Sequence, residues 1–305
     1  MEKRGVLISL VLLFAFLSTS AYAAKRALVV GIGTYARGTE WATISSKNDV
    51  DLLCPALEHF GFTVTKLIDS QATHAGIINS LKALIKRARF GDQIYLHFSC
   101  HGQQMKSSSP KETDGLDEAM VPYDAKKECT ASYRGQNHLR DKEFNIYLTK
   151  LRKKIGSKGM LFVSLDACHS GDAHRGFGED DDEPDFVSLT ERGTSEIFGE
   201  ERGSSSSRRF SSVTKNFKSK VTQKTPKGLS QMVVISACQS FQVNREYIDR
   251  KNKKSYGSLT YLIWKELSTL KSKVIDFKAF GEKLLQQKGQ TMSKRQKPYL
   301  VIEYL

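Results

Sequence analysis

Several patterns that identify common protein classes are missing from this sequence. Its five cysteines form no C-x-x-C pair, so neither a disulfide scaffold nor a structural zinc site is indicated. An apolar run at residues 6–17 is followed by no second run long enough to cross a bilayer. The net charge of +14 is spread along the chain and accompanies no recognisable nucleic-acid-binding motif. We therefore expect neither nucleic acid nor a membrane as a partner of the mature protein.

The N-terminus has the composition of an export signal. Lys3 and Arg4 precede the apolar run, which is too short for a transmembrane span, and Ala21-Tyr22-Ala23 suits a cleavage site. This pattern predicts a signal peptide at residues 1–23 and a mature chain that begins at Ala24. The protein is expected to be exported to the periplasm or secreted.

The remainder of the chain alternates apolar strand patterns with amphipathic helix patterns. Strands are predicted at residues 26–33, 62–68, 92–99, 159–167, 231–237 and 298–305, and helices at 47–61, 73–89, 141–155, 257–270 and 276–287. Regular alternation of this kind favours an α/β fold with a mostly parallel sheet and helices on both faces. We expect a single domain over residues 24–305.

One connection is far longer than the others. Residues 172–229 begin with an acidic run at 179–185, and they end with a basic, serine-rich stretch at 203–227 that contains no acid. Such a composition is typical of a solvated, flexible insertion. A linker between two domains is less favoured, because the strand pattern after it fits one more member of the same sheet.

Reactive side chains follow two of the predicted strands. The strand at 92–99 leads into His101 and Gly102, and the strand at 159–167 leads into Cys168. If these strands are neighbours, about 4.8 Å apart, His101 and Cys168 face each other at the edge where ligands bind in parallel sheets. By the two-residue period of a strand, Asp166 and Cys168 point to the same side.

This arrangement favours nucleophilic catalysis over metal binding, since the tight ligand pairs of zinc sites are absent. A cysteine nucleophile needs a basic partner and donors for the oxyanion. His101 is the expected partner of Cys168, because the adjacent His169 should point away from it. The backbone N–H groups of Gly102 and Cys168 are the expected oxyanion donors.

Seven segments resemble the caspase-like cysteine peptidases of the metacaspase type, in their bacterial form. In chain order they are ALVVGIGTY, KNDVDLL, LHFSCHG, TDGLDEAMVPYD, SLDACHSG, ISACQSFQVNRE and YGSLTYLIWKEL. The resemblance extends over nearly the whole mature chain. The HG pair followed by DxCHSG is its most specific part.

The resemblance implies a fold, a reaction and a set of residues. The fold is a caspase-like three-layer sandwich around a six-stranded, mostly parallel sheet whose last strand is antiparallel. Cys168 is the implied nucleophile and His101 the general acid and base. Asp49 and Asp166 match the two acids of a pocket for Arg or Lys before the scissile bond, where paired carboxylates favour a guanidinium. No cofactor is required by this chemistry, and a monomer is expected.

The chain departs from the family at two places. Ser99-Cys100 stands where Ser-Gly precedes the histidine in relatives, which places a second thiol near the site. Asp114 and Asp141 match aspartates of the calcium-dependent members, but Lys142 stands where a further acid is expected. Calcium binding therefore stays open.

Regulation and alternative functions also stay open. Arg208 or Arg209, in the basic part of the insertion, is a candidate self-cleavage site during activation. One alternative function is a catalytically silent caspase-like module that binds a partner. The other is a clostripain- or gingipain-like peptidase, which shares the chemistry but differs outside the core.

Overall fold

The computed structural model describes residues 23–107, 115–167, 187–194, 196–199, 218–239, 242, 244–294 and 296–305. Its strands are β1 (Lys25–Gly31), β2 (Thr63–Ile68), β3 (Gln93–Ser99), β4 (Gly102–Lys106), β5 (Leu116–Met120), β6 (Leu139–Arg140), β7 (Met160–Asp166), β8 (Val187–Glu191), β9 (Lys220–Lys224), β10 (Gln231–Ser236), β11 (Arg245–Asp249), β12 (Lys254–Gly257) and β13 (Tyr299–Tyr304). Its α-helices are α1 (Ser46–His59), α2 (His74–Arg87), α3 (Asp141–Ile155), α4 (Ser258–Thr269) and α5 (Phe277–Gln287).

A central sheet in the order β2-β1-β3-β7-β10-β13-β9 organises the fold. Its pairs are parallel except for β10 with β13, which is antiparallel as expected for the last strand. The α/β class with a mostly parallel sheet is thus confirmed. The expected strand number of six is wrong, because β9 pairs in parallel with β13 and makes a seventh strand. This pairing satisfies the backbone groups of an edge that β13 would otherwise expose.

Helices cover both faces of this sheet, as the alternation of elements predicts. Apolar residues of α1, α4 and α5 pack on one face, with Leu53, Leu262 and Phe280 among them. Apolar residues of α2 and α3 pack on the other face, with Leu81 and Leu151 among them. Successive residues of a strand alternate between these two layers. In the described part of the chain, no helix is both long enough and apolar enough to span a bilayer.

The segment 172–229, expected to be a flexible insertion, contributes two strands in its described parts. Strand β8 pairs antiparallel with β11, which also pairs with β12, and β9 joins the central sheet. Strand β8 alternates apolar and polar residues over VSLT, whereas β9, with the sequence KVTQK, has a single apolar residue. Charged and serine-rich flanking residues obscured this short period in the sequence.

The order of strands brings the polar strand ends to one edge. Strands β3 and β7 are parallel neighbours, which confirms the pairing on which the site prediction depends, and Ser99 lies opposite Asp166. Strand β1 lies on the other side of β3, with Gly31 opposite Ser99. The carboxyl ends of three strands therefore converge where the chain continues to His101 and beyond Asp166.

Candidate active site

Two of the predicted site residues, Asp49 and Asp166, lie together in a fully buried pocket. Asp49 comes from the first turn of α1. Its Oδ2 accepts a hydrogen bond from Ser99 Oγ at 2.6 Å, and its Oδ1 accepts one from the backbone N–H of Gly257 at 2.8 Å. Ser99 ends β3, so this bond ties helix α1 to the carboxyl edge of the sheet.

Asp166, the last residue of β7, is held by the beginning of α4. Its Oδ2 accepts hydrogen bonds from the backbone N–H of Thr260 at 2.7 Å and from Thr260 Oγ1 at 2.6 Å. Its Oδ1 accepts one from Asn244 Nδ2 at 2.7 Å. The first turn of a helix favours negative charge through its free N–H groups and its dipole, which supports a carboxylate at this buried position.

The guanidinium of Arg192 lies between these two carboxylates. Its Nη1 is 2.8 Å from Asp49 Oδ2 and 4.0 Å from Asp166 Oδ1. Its Nη2 is 2.9 Å from Oε1 of Glu246, on β11. Arg192 has no exposed surface, although it follows directly after β8 in the long insertion. The pocket thus holds a cation supplied by the chain itself.

Charge interactions in the pocket oppose the effect of burial. Burial raises the pKa of Asp49 to about 6, although Arg192 acts in the opposite direction. For Arg192, burial favours the neutral form, but the attraction of Asp49, Asp166 and Glu246 is larger and raises its pKa. Three acidic side chains therefore surround one guanidinium, and the environment favours a cationic occupant.

Gly257, which precedes α4, provides the space for this occupant. A Cβ at this position would overlap with the carboxylate of Asp166 and would stand 2.7 Å from Nη1 of Arg192. Any side chain here would therefore fill part of the space in which the guanidinium lies.

His101, two residues beyond the end of β3, is almost completely buried, with 2% of its surface exposed. Its ring stacks on Trp41, with the ring centroids 5.0 Å apart, and lies 5.3 Å from the ring of Tyr35. Burial lowers the pKa of His101 to about 4. The imidazole is therefore neutral at pH 7 in this structure.

The contacts of His101 indicate which nitrogen carries the proton. Nε2 lies 2.9 Å from the backbone oxygen of Ala42. Because a carbonyl oxygen can only accept, Nε2 carries the proton and Nδ1 retains its lone pair. Nδ1 is buried and has no hydrogen-bond partner among the described residues. This tautomer suits a general base that accepts its proton at Nδ1.

Gly102, the expected oxyanion donor, begins β4 and forms an isolated parallel bridge with Gly193. The insertion therefore passes directly beside the His101-Gly102 dipeptide. Cys168 follows Ala167 in the sequence and lies outside the described residues, as do Asp114, Arg208 and Arg209.

Two neighbouring side chains, His97 and Cys100, are buried beside the site. His97 lies within β3, where Nδ1 is 2.7 Å from Ser164 Oγ and burial lowers its pKa to about 4. Cys100 packs in the apolar layer with α2 and α3, and burial raises the pKa of its thiol to about 12. The thiol of Cys100 therefore stays protonated, which makes it a poor nucleophile.

The region in which the resemblance left calcium binding open contains a cluster of ion pairs. Asp141 is an exposed residue at the start of α3. Nearby, the buried carboxylate of Asp117 is bound by Lys142 and by Arg140, whose Nη1 lies 2.8 Å away. Burial alone would raise the pKa of Asp117, but hydrogen bonds from Lys142, Ser107 and Arg140 lower it. Among the described residues, no group of three His, Cys, Asp or Glu side chains is arranged to hold a metal ion.

Several residues of the site were not identified in the sequence. Asn244, Glu246 and Gly257 fall in segments that carry the family resemblance, and their contacts give them roles that the resemblance did not specify. Ala42 contacts His101 through its backbone oxygen, which every residue type has, so its role could not be predicted from the sequence. Arg192 was hidden because it is one of many basic residues in a segment expected to be flexible.

Comparison with known proteins agrees with this geometry. A sequence model of the caspase domain family matches residues 24–302. Metacaspase-1 of Ajellomyces capsulatus is 29% identical over 170 residues, which cover 52% of this chain and 44% of that protein. Metacaspase-7 of Arabidopsis thaliana is 32% identical over 158 residues, covering 48% of this chain and 35% of that protein. The matches thus span less than half the length of either relative.

A solved structure shares the fold. Protein GSU0716 of Geobacter sulfurreducens superposes with a TM-score of 0.59 and 20% sequence identity, over 92% of this chain and 94% of that one. At this identity the likeness concerns the fold alone.

The role of Gly257 can be tested through stability. We expect Gly257→Ala to lower the free energy of unfolding by about 1–3 kcal/mol, because the added methyl overpacks the pocket. Urea unfolding followed by circular dichroism measures this. Gly289→Ala is the matched control, since a Cβ there meets nothing within 4 Å, and it should change the value by less than about 0.5 kcal/mol. Equal effects of the two variants would contradict the close approach at Gly257.

The protonation state of His101 can be tested by NMR titration of a Cys168→Ala protein. We expect the His101 ring to titrate near pH 4, compared with about 6.5 after unfolding in urea. The lowered pKa means that folding favours the neutral ring, so its contribution to stability is complete above pH 6.5 and is lost as the pH falls toward 4. His101→Gln identifies the signal by its disappearance. Titration near 6.5 in the folded protein would contradict the burial of the ring.

Proposed function

This chain belongs to the caspase domain family as a metacaspase-like member, and from that premise we propose that it is a cysteine endopeptidase that hydrolyses peptide bonds after Arg or Lys. One observation carries the proposal: a guanidinium lies between Asp49 and Asp166 in a buried pocket beside His101-Gly102. The family supports the reaction, and the pocket supports the substrate class.

Cys168 is the proposed nucleophile and His101 its general base and acid. Nδ1 of His101 accepts the thiol proton, and the thiolate attacks the carbonyl carbon of the residue before the scissile bond. His101 then gives the proton to the leaving amine, and water hydrolyses the thioester. The carbonyl of Ala42 supports this role because it holds the ring by its Nε2 proton, 2.9 Å away. The proposed oxyanion donors are the backbone N–H groups of Gly102 and Cys168.

The proposed specificity follows from the chemistry of the pocket. A guanidinium presents several N–H donors in a planar fork, and it pairs strongly with carboxylates in a dry site. Asp49 and Asp166 supply two carboxylates, and Glu246 adds a third. An acidic side chain of a substrate would be repelled from the same pocket, so Asp before the scissile bond is disfavoured.

The proposed enzyme requires no calcium. Asp117, which lies close to the expected calcium region, already pairs with the ammonium of Lys142 and the guanidinium of Arg140. These residues do not fit a divalent cation, because the positive charges occupy the carboxylate oxygens that the ion would need.

We also propose that residues 172–229 are cut by the enzyme itself during activation and that the mature chain acts as a monomer. Arg208 and Arg209 remain candidate cleavage positions outside the described residues. A basic residue of this insertion already lies in the pocket, since Arg192 belongs to it. This contact supports self-recognition of the insertion.

Export with removal of residues 1–23 is a further part of the proposal. Asp92 is buried, and its Oδ1 accepts a hydrogen bond from the backbone N–H of Ala24 at 2.9 Å. Cleavage after Ala23 would convert this N–H into a charged α-ammonium and the hydrogen bond into an ion pair. Asp92 would therefore hold the new N-terminus in place.

The activity is tested with fluorogenic peptides that end in Arg, Lys or Asp before the reporter group. We expect hydrolysis of the Arg and Lys peptides at least tenfold faster than of the Asp peptide, with no loss of rate in EDTA. Cys168→Ala should remove hydrolysis completely, because it removes the proposed nucleophile.

The matched control for this experiment is Cys129→Ala, which removes a partly exposed thiol elsewhere in the chain. It should leave the rates unchanged. A folded wild-type protein that hydrolyses none of the peptides would favour the silent binding module instead. Faster cleavage of the Asp peptide would contradict the acidic pocket.

The export proposal predicts the N-terminus of the mature protein. Expression of the full chain in a bacterial host with a general secretion system should give an exported protein that begins at Ala24, measured by N-terminal sequencing. Asp92→Asn should lower the unfolding temperature of the mature protein, because it removes the partner of the α-ammonium. An uncleaved N-terminus in the exported fraction would contradict the proposed processing.

A further inference from the structure

The insertion takes a path across the candidate active site, and the role we assign to that path rests on the proposed function. Residues 187–191 form strand β8, which pairs antiparallel with β11, so that Glu191 lies opposite Arg245. Directly after the strand, the backbone N–H of Arg192 donates to the carbonyl of Asn244 at 3.0 Å. Peptides that bind by adding a strand to an exposed sheet edge are held by this type of main-chain hydrogen bond.

The chain is also held on the other side of Arg192. Gly193 forms the parallel bridge with Gly102, the residue after His101. Further along, Phe198 forms backbone hydrogen bonds with Gln104 and Lys106, the first of them 2.9 Å long. The insertion therefore follows β4 away from the site.

A small apolar cluster anchors this second part. Phe198 is buried against Met105, Ala119 and Tyr133. The backbone oxygen of Glu196 accepts a hydrogen bond from Gln103 Nε2 at 3.1 Å. Backbone and side-chain contacts thus hold Gly193, Glu196 and Phe198 as well as strand β8 and Arg192.

The bond between Arg192 and Gly193 consequently occupies a special position. The residue before it has its side chain between Asp49 and Asp166, and the residue after it lies beside Gly102. A bound substrate of a peptidase specific for Arg needs two of the same features: a guanidinium in the acidic pocket and a scissile bond beside the residue that follows the catalytic histidine.

Two features of the pocket are consistent with an Arg192 side chain that leaves the pocket after cleavage. The pocket contains three acidic side chains and one guanidinium, so the charges are not balanced. Nε of Arg192 is buried and has no hydrogen-bond partner among the described residues. Permanent buried polar groups are normally fully paired.

From these contacts we propose that residues 187–198 are an internal substrate bound in the active site, and that Arg192–Gly193 is the bond cut in self-activation. While it is bound, Arg192 excludes the basic residue of any other substrate. Cleavage of this bond frees the pocket. The inference differs from the sequence prediction, which favoured Arg208 or Arg209.

The chemical step balances within the chain. The thiolate of Cys168 attacks the carbonyl carbon of Arg192, and Nδ1 of His101 holds the thiol proton. The C–N bond to Gly193 breaks, and the proton passes from His101 to the amine of Gly193. A water molecule then hydrolyses the thioester, which leaves a carboxylate on Arg192 and regenerates the thiol of Cys168.

The test is intact-mass spectrometry of the purified full chain during incubation, beside the same protein with Cys168→Ala. We expect a fragment that begins at Gly193 in the wild type only. Its rate of appearance should not change over a tenfold range of protein concentration, since the substrate is tethered. An Arg reporter peptide is measured in the same samples, and its hydrolysis should increase as the fragment accumulates.

Variants at the pocket sharpen the test. Arg192→Gln should slow the appearance of the fragment at least tenfold, whereas Arg192→Lys, which keeps the cation, should still be cut. Arg87→Gln is the matched control, because Arg87 is exposed at the end of α2, and its rate should equal that of the wild type. Circular dichroism establishes that each variant is folded, and the mapping of the wild-type fragment does not depend on any pocket variant.

The outcomes separate this inference from the proposed function. A protein that hydrolyses the Arg reporter but stays intact between residues 187 and 199 overturns the inference and leaves the function standing. Cleavage only after Arg208 or Arg209 has the same meaning. A folded protein that cleaves neither the reporter nor itself overturns the proposed function. Cleavage after Arg192 that becomes faster with protein concentration overturns the tethered form of the inference.

Discussion

The buried ion cluster around Arg192 is the interaction on which the candidate site depends. Asp49 belongs to α1, Asp166 to β7 and Glu246 to β11, so one guanidinium connects three elements to the long insertion. Removing one partner of a buried ion pair typically costs about 3–5 kcal/mol. The carboxylates therefore need a cation whenever the pocket is closed to water, and the chain itself supplies one.

The beginning of α4 makes this concentration of negative charge tolerable. The backbone N–H groups of Gly257 and Thr260 point at Asp49 and Asp166, and both oxygens of Asp166 are hydrogen-bonded. A helix N-terminus stabilises an anion without adding a mobile countercharge. The carboxylates can thus stay in place when the guanidinium between them is exchanged, which is the property that a recognition pocket for basic residues needs.

The central sheet and its helices could be predicted from the sequence, because buried strands form continuous apolar runs and amphipathic helices repeat apolar residues every three to four positions. The pairing of β3 with β7 was only a condition of the site prediction, and the structure confirms it by placing Ser99 opposite Asp166. Strands β8 and β9 were not predicted, because each has only five residues and lies among charged residues, so its hydrophobic periodicity is weak. The role of Arg192 could not be predicted, since a charge becomes specific only through the residues that surround it in space.

The same three carboxylates would account for both the proposed latency and the proposed specificity of the enzyme. A strand that places Arg192 between them is bound at high effective concentration, because it is part of the chain. In the proposed enzyme, a free substrate would have to compete with this tethered residue for one pocket, which would keep the uncut protein inactive. After the tether is cut, departure of Arg192 leaves a buried excess of negative charge. In the proposed enzyme, that excess would be relieved by the next cation that enters, the Arg or Lys of a substrate.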